Sequence, residues 1–460
     1  MKSKLETLCF DLPEDILRAK LSGDFDLAAK LIDARLLSFR TTPMMKERLL
    51  CEQALLPRWE KRYPYTYESA LKKMQERVKD YTEEEFKTAI LNGDVDYIKI
   101  NGETKFVSSF SGTLIKMNPA LKSRVTEIPR GDGSEPDLDD FMRALKTKKE
   151  IAYSYKIKSS LKIEDESFEK GKTYTVNIPV PSKSAQQSES KIKISCDPDG
   201  VIAPLDAEQR TVCYKRKLEE NLPFETEFEF ESRLKYVDPC HDAPFIPYPD
   251  EKAPCFDDLG EQLPHICFTP YLTMLAEYIK GDEERPLFIA KKIYDYITLN
   301  VRYSFMRSYA LIDRQAEYTA LNMKGDCGLQ ALLFITLCRI CGIPARWQSG
   351  LTVDRKSTGD HDWAQFWTEE FGWLFADPSY GGGAHRAENE ERREFYFGNL
   401  DPFRMVANRR YMSDFELPRQ FDRFDPYDSQ DGEVETEERG LDGYEYDKTD
   451  VTEKFEEAKK

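Results

Sequence analysis

At 460 residues the chain is too long for one ordinary hydrophobic core, and its 40% hydrophobic and 12% aromatic content is sufficient for several packed domains. We therefore expect two to four globular domains. The formal net charge is −17, and no run of the sequence is rich in lysine and arginine. Because such a chain repels phosphate backbones and anionic lipid headgroups, its composition argues against nucleic acid and membrane surfaces as partners.

The stretch MKSKLETLCFDLPEDILRAK at the start of the sequence lacks the apolar run of a signal peptide. The most apolar run of the core, from Ala331 to Cys338, is far too short to span a membrane. We therefore expect a soluble, cytoplasmic protein whose ten cysteines stay reduced.

Residues 1–92 are predicted to form a helical domain. Leucine, isoleucine and phenylalanine recur there at spacings of three and four residues, with polar residues between them. Thr82 and Glu85 fit a capping box at the start of one helix, and Asn92-Gly93 fits the end of the same helix.

Residues 93–148 are mixed, with a hairpin predicted to turn at Asn101-Gly102 and a linker predicted in RGDGSEPDLDD. The period then changes to two over residues 149–240. Segments such as IAYSYKIKSS, KTYTVNIPVP and PFETEFEFESRLKYV alternate apolar and polar residues. Repeated short strands with turn-rich spacers are typical of an immunoglobulin-like β-sandwich.

Residues 247–417 combine helical segments with strands rich in tryptophan and phenylalanine, and we expect them to form the last globular domain. The segment that follows, residues 418–460, is strongly acidic. From Phe421 onwards it contains fifteen acidic and six basic residues. A segment of this charge is expected to be disordered or loosely laid against the body of the protein.

Three of the ten cysteines lie in GDCGLQALLFITLCRICGIPAR, residues 325–346, where the pattern predicts a helix capped by Asp326 and ended by a glycine. Cys327 begins the first turn. Unpaired N–H groups and the positive end of the helix dipole lie there, so we expect a lowered thiol pKa and a nucleophilic thiolate. Cys338 and Cys341 lie near the other end, where a thiolate is disfavoured, and are expected to be packing residues.

A histidine and an aspartate further along the chain could serve this thiol. His361 opens HDWAQFWTEEFGWLFADPSYGGG, which predicts a strand, a turn near Phe371-Gly372 and a returning strand that ends at Asp377. Together with Cys327 these residues form the thiol version of a nucleophile–base–orienter triad. The spacing alone leaves a second interpretation open, in which His361 and Asp377 are only hydrogen-bonded within a buried aromatic hairpin.

The blocks GDCGLQALLFITLCRICGIPAR, HDWAQFW and GWLFADPSYG resemble, in order and in spacing, the motif blocks of the transglutaminase-like superfamily. The resemblance covers about residues 270–385 and, more loosely, the predicted sandwich. With the segments above, it implies an α+β fold in which a papain-like transglutaminase core is preceded by an immunoglobulin-like sandwich and an N-terminal helical domain. By the resemblance, Cys327 is the nucleophile, His361 the general base and acid, and Asp377 the orienter.

The sequence also departs from the family pattern. Asp362 follows the histidine where alanine is more usual, and its carboxylate is expected to raise the pKa of His361. The tryptophan that precedes the cysteine in animal transglutaminases, and helps to stabilise the oxyanion, is missing or replaced. Tyr303 in NVRYSFM is a candidate oxyanion donor beside the backbone N–H of Cys327, although a tyrosine at such an edge is more often only packed.

A second constellation gathers zinc-ligand residue types within twenty-eight residues: Cys240, His241, Cys255, His265 and Cys267. No Cys-x-x-Cys pair is present among them, so we predict neither a metal nor a cofactor. Peptide N-glycanases, which resemble the core, usually carry paired Cys-x-x-Cys zinc ligands, and their absence argues against that activity.

The predicted chemistry is cysteine-dependent acyl transfer on an amide bond of a peptide or protein. Cys327 would attack the carbonyl and form a thioester while His361 protonates the leaving amine. Water as the second nucleophile gives a hydrolase, and a lysine amine gives a cross-linking acyltransferase. The missing tryptophan favours hydrolysis, because amine transfer requires the exclusion of water. A non-enzymatic peptide-binding module with a vestigial triad is the third alternative, which the presence of all three triad residues disfavours.

Overall fold

The computed structural model describes residues 5–126, 137–355 and 358–458. Its first part is helical, as the spacing of apolar residues predicts: α1 (Glu14–Ser22), α2 (Phe25–Leu37), α3 (Pro43–Arg62), α4 (Tyr67–Arg77) and α5 (Glu83–Leu91). The capping box is confirmed, since Thr82 Oγ1 accepts from the Glu85 N–H and Glu85 Oε2 accepts from the Thr82 N–H. Helix α5 ends before Asn92.

The predicted hairpin is confirmed by β1 (Tyr97–Ile100) and β2 (Glu103–Phe106), which pair antiparallel around Asn101-Gly102. Both turn residues have positive φ, the conformation that asparagine and glycine tolerate best. The predicted linker falls largely on residues 127–136, outside the described residues. The helices of this region are α6 (Phe110–Met117), α7 (Pro119–Lys122) and α8 (Leu138–Lys148).

The residues with a period of two form strands. These are β3 (Glu150–Ile163), β4 (Thr173–Pro179), β5 (Lys193–Cys196), β6 (Val201–Ile202), β7 (Thr211–Lys217) and β8 (Phe224–Lys235). The segment IAYSYKIKSS lies within β3, and KTYTVNIPVP and PFETEFEFESRLKYV contain β4 and β8. Their burial alternates along β3 and β8, so one face of each strand enters a core and the other faces solvent.

The next part of the chain mixes helices and strands. Its helices are α9 (Pro270–Lys280), α10 (Pro286–Asn300), α11 (Gln315–Asn322), α12 (Cys327–Ile340), α13 (Pro378–Arg386) and α14 (Glu390–Phe395). Its strands are β9 (Arg302–Tyr303), β10 (Lys324–Gly325), β11 (Ala345–Val353), β12 (Thr358–Thr368), β13 (Gly372–Ala376), β14 (Phe397–Gly398) and β15 (Arg404–Asn408). Strands β9 and β10 pair in parallel, and the others form one antiparallel sheet in the order β14-β13-β12-β11-β15.

The acidic segment 418–460 is ordered as far as it is described, so the expectation of disorder is wrong. It adds β16 (Glu433–Glu435) and β17 (Tyr446–Glu457), and the two four-stranded sheets are therefore β16-β4-β7-β6 and β17-β3-β8-β5. The acidic side chains of β17 meet lysines of the opposite strand, as where Glu453 lies 2.9 Å from Lys156 Nζ. Charged side chains are common on edge strands such as β17, because one edge of the strand is open to solvent.

Two hydrophobic cores are present in the described residues. One lies between the two four-stranded sheets and is joined by Leu351, Val353 and Met405 of the five-stranded sheet. The other runs without a break from the N-terminal helices to α12 and the far face of that sheet. The N-terminal helices therefore share a core with the segment that carries the predicted triad. In the described ranges, no helix has both the length and the apolar character needed to cross a bilayer.

Candidate active site

Helix α12 presents Cys327 at its first turn, as the sequence predicts. Asp326 is the N-cap, with Oδ1 accepting from the Leu329 N–H at 3.2 Å and from the Tyr309 hydroxyl at 2.5 Å. The helix is buried from Gly328 to Arg339, whereas Cys327 is partly exposed. The thiol thus lies at the accessible end of a fixed, central element.

The histidine and the aspartate meet through the predicted hairpin of β12 and β13. His361 Nε2 lies 2.7 Å from Asp377 Oδ2, and both side chains are almost fully buried. Arg404 Nη1 donates to the same carboxylate oxygen at 2.6 Å, and the Tyr380 N–H donates to Oδ1 at 2.9 Å. Since Nε2 is engaged, Nδ1 is the ring nitrogen left for proton transfer.

The charge on Asp377 is compensated from several sides. Although burial opposes ionisation, the nearby His361 and Arg404 hold the pKa of Asp377 below its usual range. Burial lowers the pKa of His361, against the opposing influence of Asp377. The imidazole is therefore mostly neutral near pH 7, the state that a general base needs.

Cys327 and His361 line the same cavity, which has a volume of about 430 Å³. Tyr303 and Tyr380 line it as well, and the Tyr380 ring lies 4.6 Å from the imidazole ring. The structure thus brings the three predicted triad residues to one place: the thiol and the imidazole at the cavity wall, and the carboxylate behind the imidazole.

The thiol is hydrogen-bonded to a residue other than the histidine. Cys327 Sγ lies 3.2 Å from Asp362 Oδ2, and Asp362 also accepts from Gln430 Nε2 at 2.9 Å and shares a hydrogen bond with Asp428. Burial, followed by the carboxyl groups of Asp362 and Asp326, raises the pKa of Cys327 well above its usual range. The expected lowering of the thiol pKa by the helix end is therefore wrong, because burial and the nearby carboxyl groups act in the opposite direction.

The expectation that Asp362 raises the pKa of His361 is also wrong. Neighbouring residues of a strand point to opposite faces, so Asp362 reaches the thiol and the C-terminal segment while His361 reaches Asp377. Burial instead raises the pKa of Asp362 to about 8, with a contribution from the nearby Asp326.

The candidate oxyanion donor, Tyr303, lies beside the nucleophile. Tyr303 lies opposite Gly325 in the parallel pair of β9 and β10, and Gly325 is two residues before Cys327. The Tyr303 side chain lines the cavity. Burial, with repulsion from Cys327, raises the pKa of the Tyr303 phenol far above its usual range. The hydroxyl therefore keeps its proton and is available as a donor.

The transglutaminase-like superfamily matches the chain over residues 273–378, a segment that contains Cys327, His361 and Asp377. These residues form a transglutaminase-like core.

Solved structures that resemble the chain are more distant. A "putative cysteine protease" from Cytophaga hutchinsonii is 14% identical, with 67% of this chain and 90% of that chain covered and a TM-score of 0.39. The periplasmic domain of TgpA from Pseudomonas aeruginosa is 14% identical, with 57% and 97% covered and a TM-score of 0.28. No curated protein matches the sequence. TM-scores this low indicate only a distant likeness of fold.

The other two cysteines of the core helix lie away from the cavity. Cys338 is fully buried, and burial raises its pKa well above the usual range. Burial raises the pKa of Cys341, at the end of the helix, to about 11. The positions of both agree with packing residues.

The zinc-type residues that precede the core make separate contacts. His241 bonds Asp238, His265 lies buried beside Gln315, and Cys267 Sγ donates to the Pro264 carbonyl. In the part of the chain that the structure describes, no three His, Cys, Asp or Glu side chains are arranged to hold a metal ion.

Several residues around the core were missed by the sequence reasoning. Arg404 gives no local signal, because it lies far along the chain in β15. Gln430 and Asp428 belong to the segment expected to be disordered. Asp362 carried a signal, its unusual place after the histidine, but its contact with the thiol depends on how α12 packs against β12.

Proposed function

We propose that the protein is a cysteine-dependent amide hydrolase that acts on peptide or protein substrates through Cys327, His361 and Asp377. One observation carries the proposal. The His361–Asp377 pair, held at 2.7 Å, opens onto the same cavity as a partly exposed cysteine at the start of a buried helix. A family match over residues 273–378 supports the same reaction class.

Catalysis begins with the transfer of the Cys327 proton to His361 Nδ1, and the thiolate then attacks the carbonyl carbon of the amide. Asp377 keeps the imidazole in the required tautomer and stabilises the imidazolium. The Cys327 N–H and the Tyr303 hydroxyl are the proposed donors to the oxyanion. The oxyanion collapses, the C–N bond breaks, and His361 gives its proton to the leaving amine. Water, deprotonated by His361, then cleaves the thioester and restores the thiol.

Asp362 holds the resting state of this cycle. The thiol keeps its proton while it is hydrogen-bonded to Asp362, because the carboxyl group disfavours the thiolate. The first proton transfer therefore requires the sulfur to exchange this contact for one with His361. We propose that the free protein samples both contacts, so that His361 also speeds the reaction of the thiol with small reagents, and that substrate binding shifts the exchange towards His361.

Hydrolysis is favoured over transfer to a lysine amine by the chemistry of the cavity wall. The wall contains tyrosines and charged side chains, among them Tyr303, Tyr380, Lys116 and Arg386. Such groups retain water more readily than a tunnel of tryptophan rings. Cross-linking remains the alternative for the same triad.

The architecture around the core is part of the proposal. We propose that residues 149–240, completed by β16 and β17, are an immunoglobulin-like sandwich that supports the core, and that residues 1–92 are a helical domain that shields it. We further propose a cytoplasmic location, where the thiol stays reduced.

The test is a brief treatment of the folded protein with iodoacetamide near neutral pH, with the rate measured separately at each cysteine. We expect His361→Ala to slow the labelling of Cys327 and to leave the exposed Cys255 unchanged. His241→Ala, a change at an exposed histidine, is the matched control. Equal rates at Cys327 in the wild type and in His361→Ala would exclude the proposed pair.

Incubation with casein and a fluorescent amine then separates the two outcomes of catalysis. New peptide termini without bound amine indicate hydrolysis, and incorporated amine indicates transfer. If neither appears although Cys327 is selectively labelled, the third alternative, a peptide-binding module, becomes the better description.

A further inference from the structure

Cationic side chains line the cavity of the nucleophile, although the protein as a whole carries a net charge of −17. Lys116, from α6, and Arg386, the last residue of α13, both contribute to the wall that also contains Cys327. The negative net charge of the protein repels anions, whereas cations in the wall of the cavity attract them. The cavity therefore differs from the rest of the molecule in the ligands that it favours.

Lys116 is held in place by aromatic rings. Its Nζ lies 3.8 Å from the centre of the Tyr303 ring and 4.9 Å from that of Phe305. Helix α6 is hydrogen-bonded to the segment that follows β9, since Thr113 Oγ1 accepts from the Phe305 N–H at 3.1 Å. Such contacts between a cation and aromatic faces fix the ammonium beside the catalytic cysteine.

Arg386 lies at the end of a helix that contains an unusual run of glycines. Three successive glycines, residues 381–383, lie within α13, and each is expected to destabilise a helix by about 1 kcal/mol relative to alanine. A Cβ on Gly382 would lie 3.4 Å from Arg386 Nη1, and one on Gly383 would lie 3.8 Å from Nη2. The guanidinium therefore lies back along the bare face of its own helix, and Gly383 and Arg386 both line the cavity.

Within the described ranges, these two cations differ from their neighbours in lacking a carboxylate partner. Arg392, which also lines the cavity, pairs with Asp139 at 3.1 Å. Asp360, a carboxyl group of the same wall, is hydrogen-bonded to Asp431. Among the described residues, neither Lys116 nor Arg386 forms an ion pair, and the two are close enough to influence each other electrostatically.

We propose that Lys116 and Arg386 form a carboxylate-binding subsite, and that the preferred substrate is an acidic peptide. The inference rests on the proposed function, because it places the carboxylate of the substrate beside the amide that Cys327 attacks. Two unpaired cations on one wall attract an anion and orient it, and arginine binds a carboxylate with two parallel hydrogen bonds.

The charge of the cavity is tested with two alkylating reagents of similar size, iodoacetate and iodoacetamide. We expect the ratio of their rates at Cys327 to exceed the ratio at Cys255 in the same molecule by about tenfold, as two nearby cations would produce. Lys116→Met and Arg386→Gln should each lower this excess, and Lys116→Arg should restore it. Lys170→Met, a change at an exposed lysine outside the cavity, should leave it unchanged. Equal ratios at the two cysteines, or an excess that neither variant lowers, would overturn the subsite.

Peptide binding to Cys327→Ser tests the subsite without catalysis. Matched fluorescent peptides carry glutamate or glutamine at one position, each with a free or an amidated C-terminus. Tighter binding of the glutamate peptides assigns a side-chain carboxylate, and tighter binding of the free C-terminus assigns a terminal one. Indifference to both changes rejects the proposal. If His361→Ala does not slow labelling of Cys327 but the glutamate preference persists, the catalytic proposal fails and the subsite stands.

Discussion

Carboxyl groups lie on both sides of strand β12, and the pKa values of the two sets shift in opposite directions. On one side Asp377 contacts Arg404, His361 and a backbone N–H, and its pKa is lowered. On the other side Asp362 and Asp428 contact each other and a neutral thiol or hydroxyl, and burial raises the pKa of both. The pKa values of residues of the same type thus shift in opposite directions, because an arginine bonds the side-chain carboxylate only on the first side.

This difference suits two tasks. An ionised aspartate behind the imidazole suits the proposed orienting role, whereas a carboxyl group beside the sulfur suits the proposed resting state, because its negative charge disfavours the thiolate. Changes that alter only one side should therefore produce separable effects on catalysis, stability and thiol reactivity.

The largest effect is expected from Asp377→Asn. The amide would stabilise the wrong tautomer of His361, so we expect kcat for amide hydrolysis to fall by about 10³ to 10⁴-fold. Steady-state kinetics on a labelled peptide measures the change. Ser379→Ala, which removes only the hydroxyl donor at 3.1 Å from Asp377, is the milder control. A loss of less than tenfold for Asp377→Asn would mean that the pair does not orient the base.

Arg404→Met should destabilise the protein strongly. It leaves Asp377 and Asp401, both nearly fully buried, without their cation, and we expect the free energy of unfolding to fall by about 3–5 kcal/mol. Urea denaturation provides the value. Arg439→Met, which breaks a half-exposed pair with Glu445, should cost less than about 1 kcal/mol. Equal losses for the two variants would contradict the conclusion that Arg404 compensates the buried charges of Asp377 and Asp401.

Asp362→Asn should speed alkylation of Cys327 in a pH-dependent way. The pKa of Asp362 is raised to about 8, so above pH 8 its negative charge lies 3.2 Å from the sulfur and opposes the thiolate. We expect the variant to react with iodoacetamide about tenfold faster than the wild type at pH 9. Below pH 7 the difference should shrink, because the wild-type carboxyl group is then protonated.

The exposed Asp447→Asn serves as the control for a general loss of one charge. Parallel pH profiles for the wild type and Asp362→Asn would show that this carboxyl group does not govern the thiol.

The smallest effect is expected from Gln430→Ala. The side chain donates to Asp362 Oδ1 at 2.9 Å and to the carbonyls of His361 and Gly350. Loss of these donors should lower the free energy of unfolding by about 1–2 kcal/mol. Thermal denaturation measures the loss against Gln420→Ala, a change at an exposed glutamine. Equal melting temperatures for the two variants would show that the hydrogen bonds of Gln430 to this wall do not stabilise the protein.

The local signals of the site could be read from the sequence. Asp326 as N-cap, Cys327 in the first turn and the return of the chain near Phe371-Gly372 all follow from capping and strand periodicity, and all are present in the structure. The pairing of His361 with Asp377 follows from the same hairpin. Each of these features depends on residues close together in the sequence.

The features that were missed depend on contacts between distant segments. The alternation in YDKTDVTEKFEE was hidden by its charges, which pair with lysines of α8, of β3 and of β17 itself. The pKa of Cys327 could not be predicted, because it is set by burial and by a carboxyl group that tertiary packing brings close. Lys116 belongs to a segment with no catalytic signature, and only the docking of α6 on Phe305 brings it to the cavity.

The contribution of Gln430 and Asp428 to the wall beside the thiol has a consequence for biosynthesis. A ribosome makes the nucleophile, the base and the orienting carboxylate before it makes these two residues. A nascent chain that has just exposed Asp377 still lacks the groups that hold Asp362 against the sulfur. The wall beside the thiol can therefore be completed only after Cys327, His361, Asp377 and the strands of the five-stranded sheet have been synthesised.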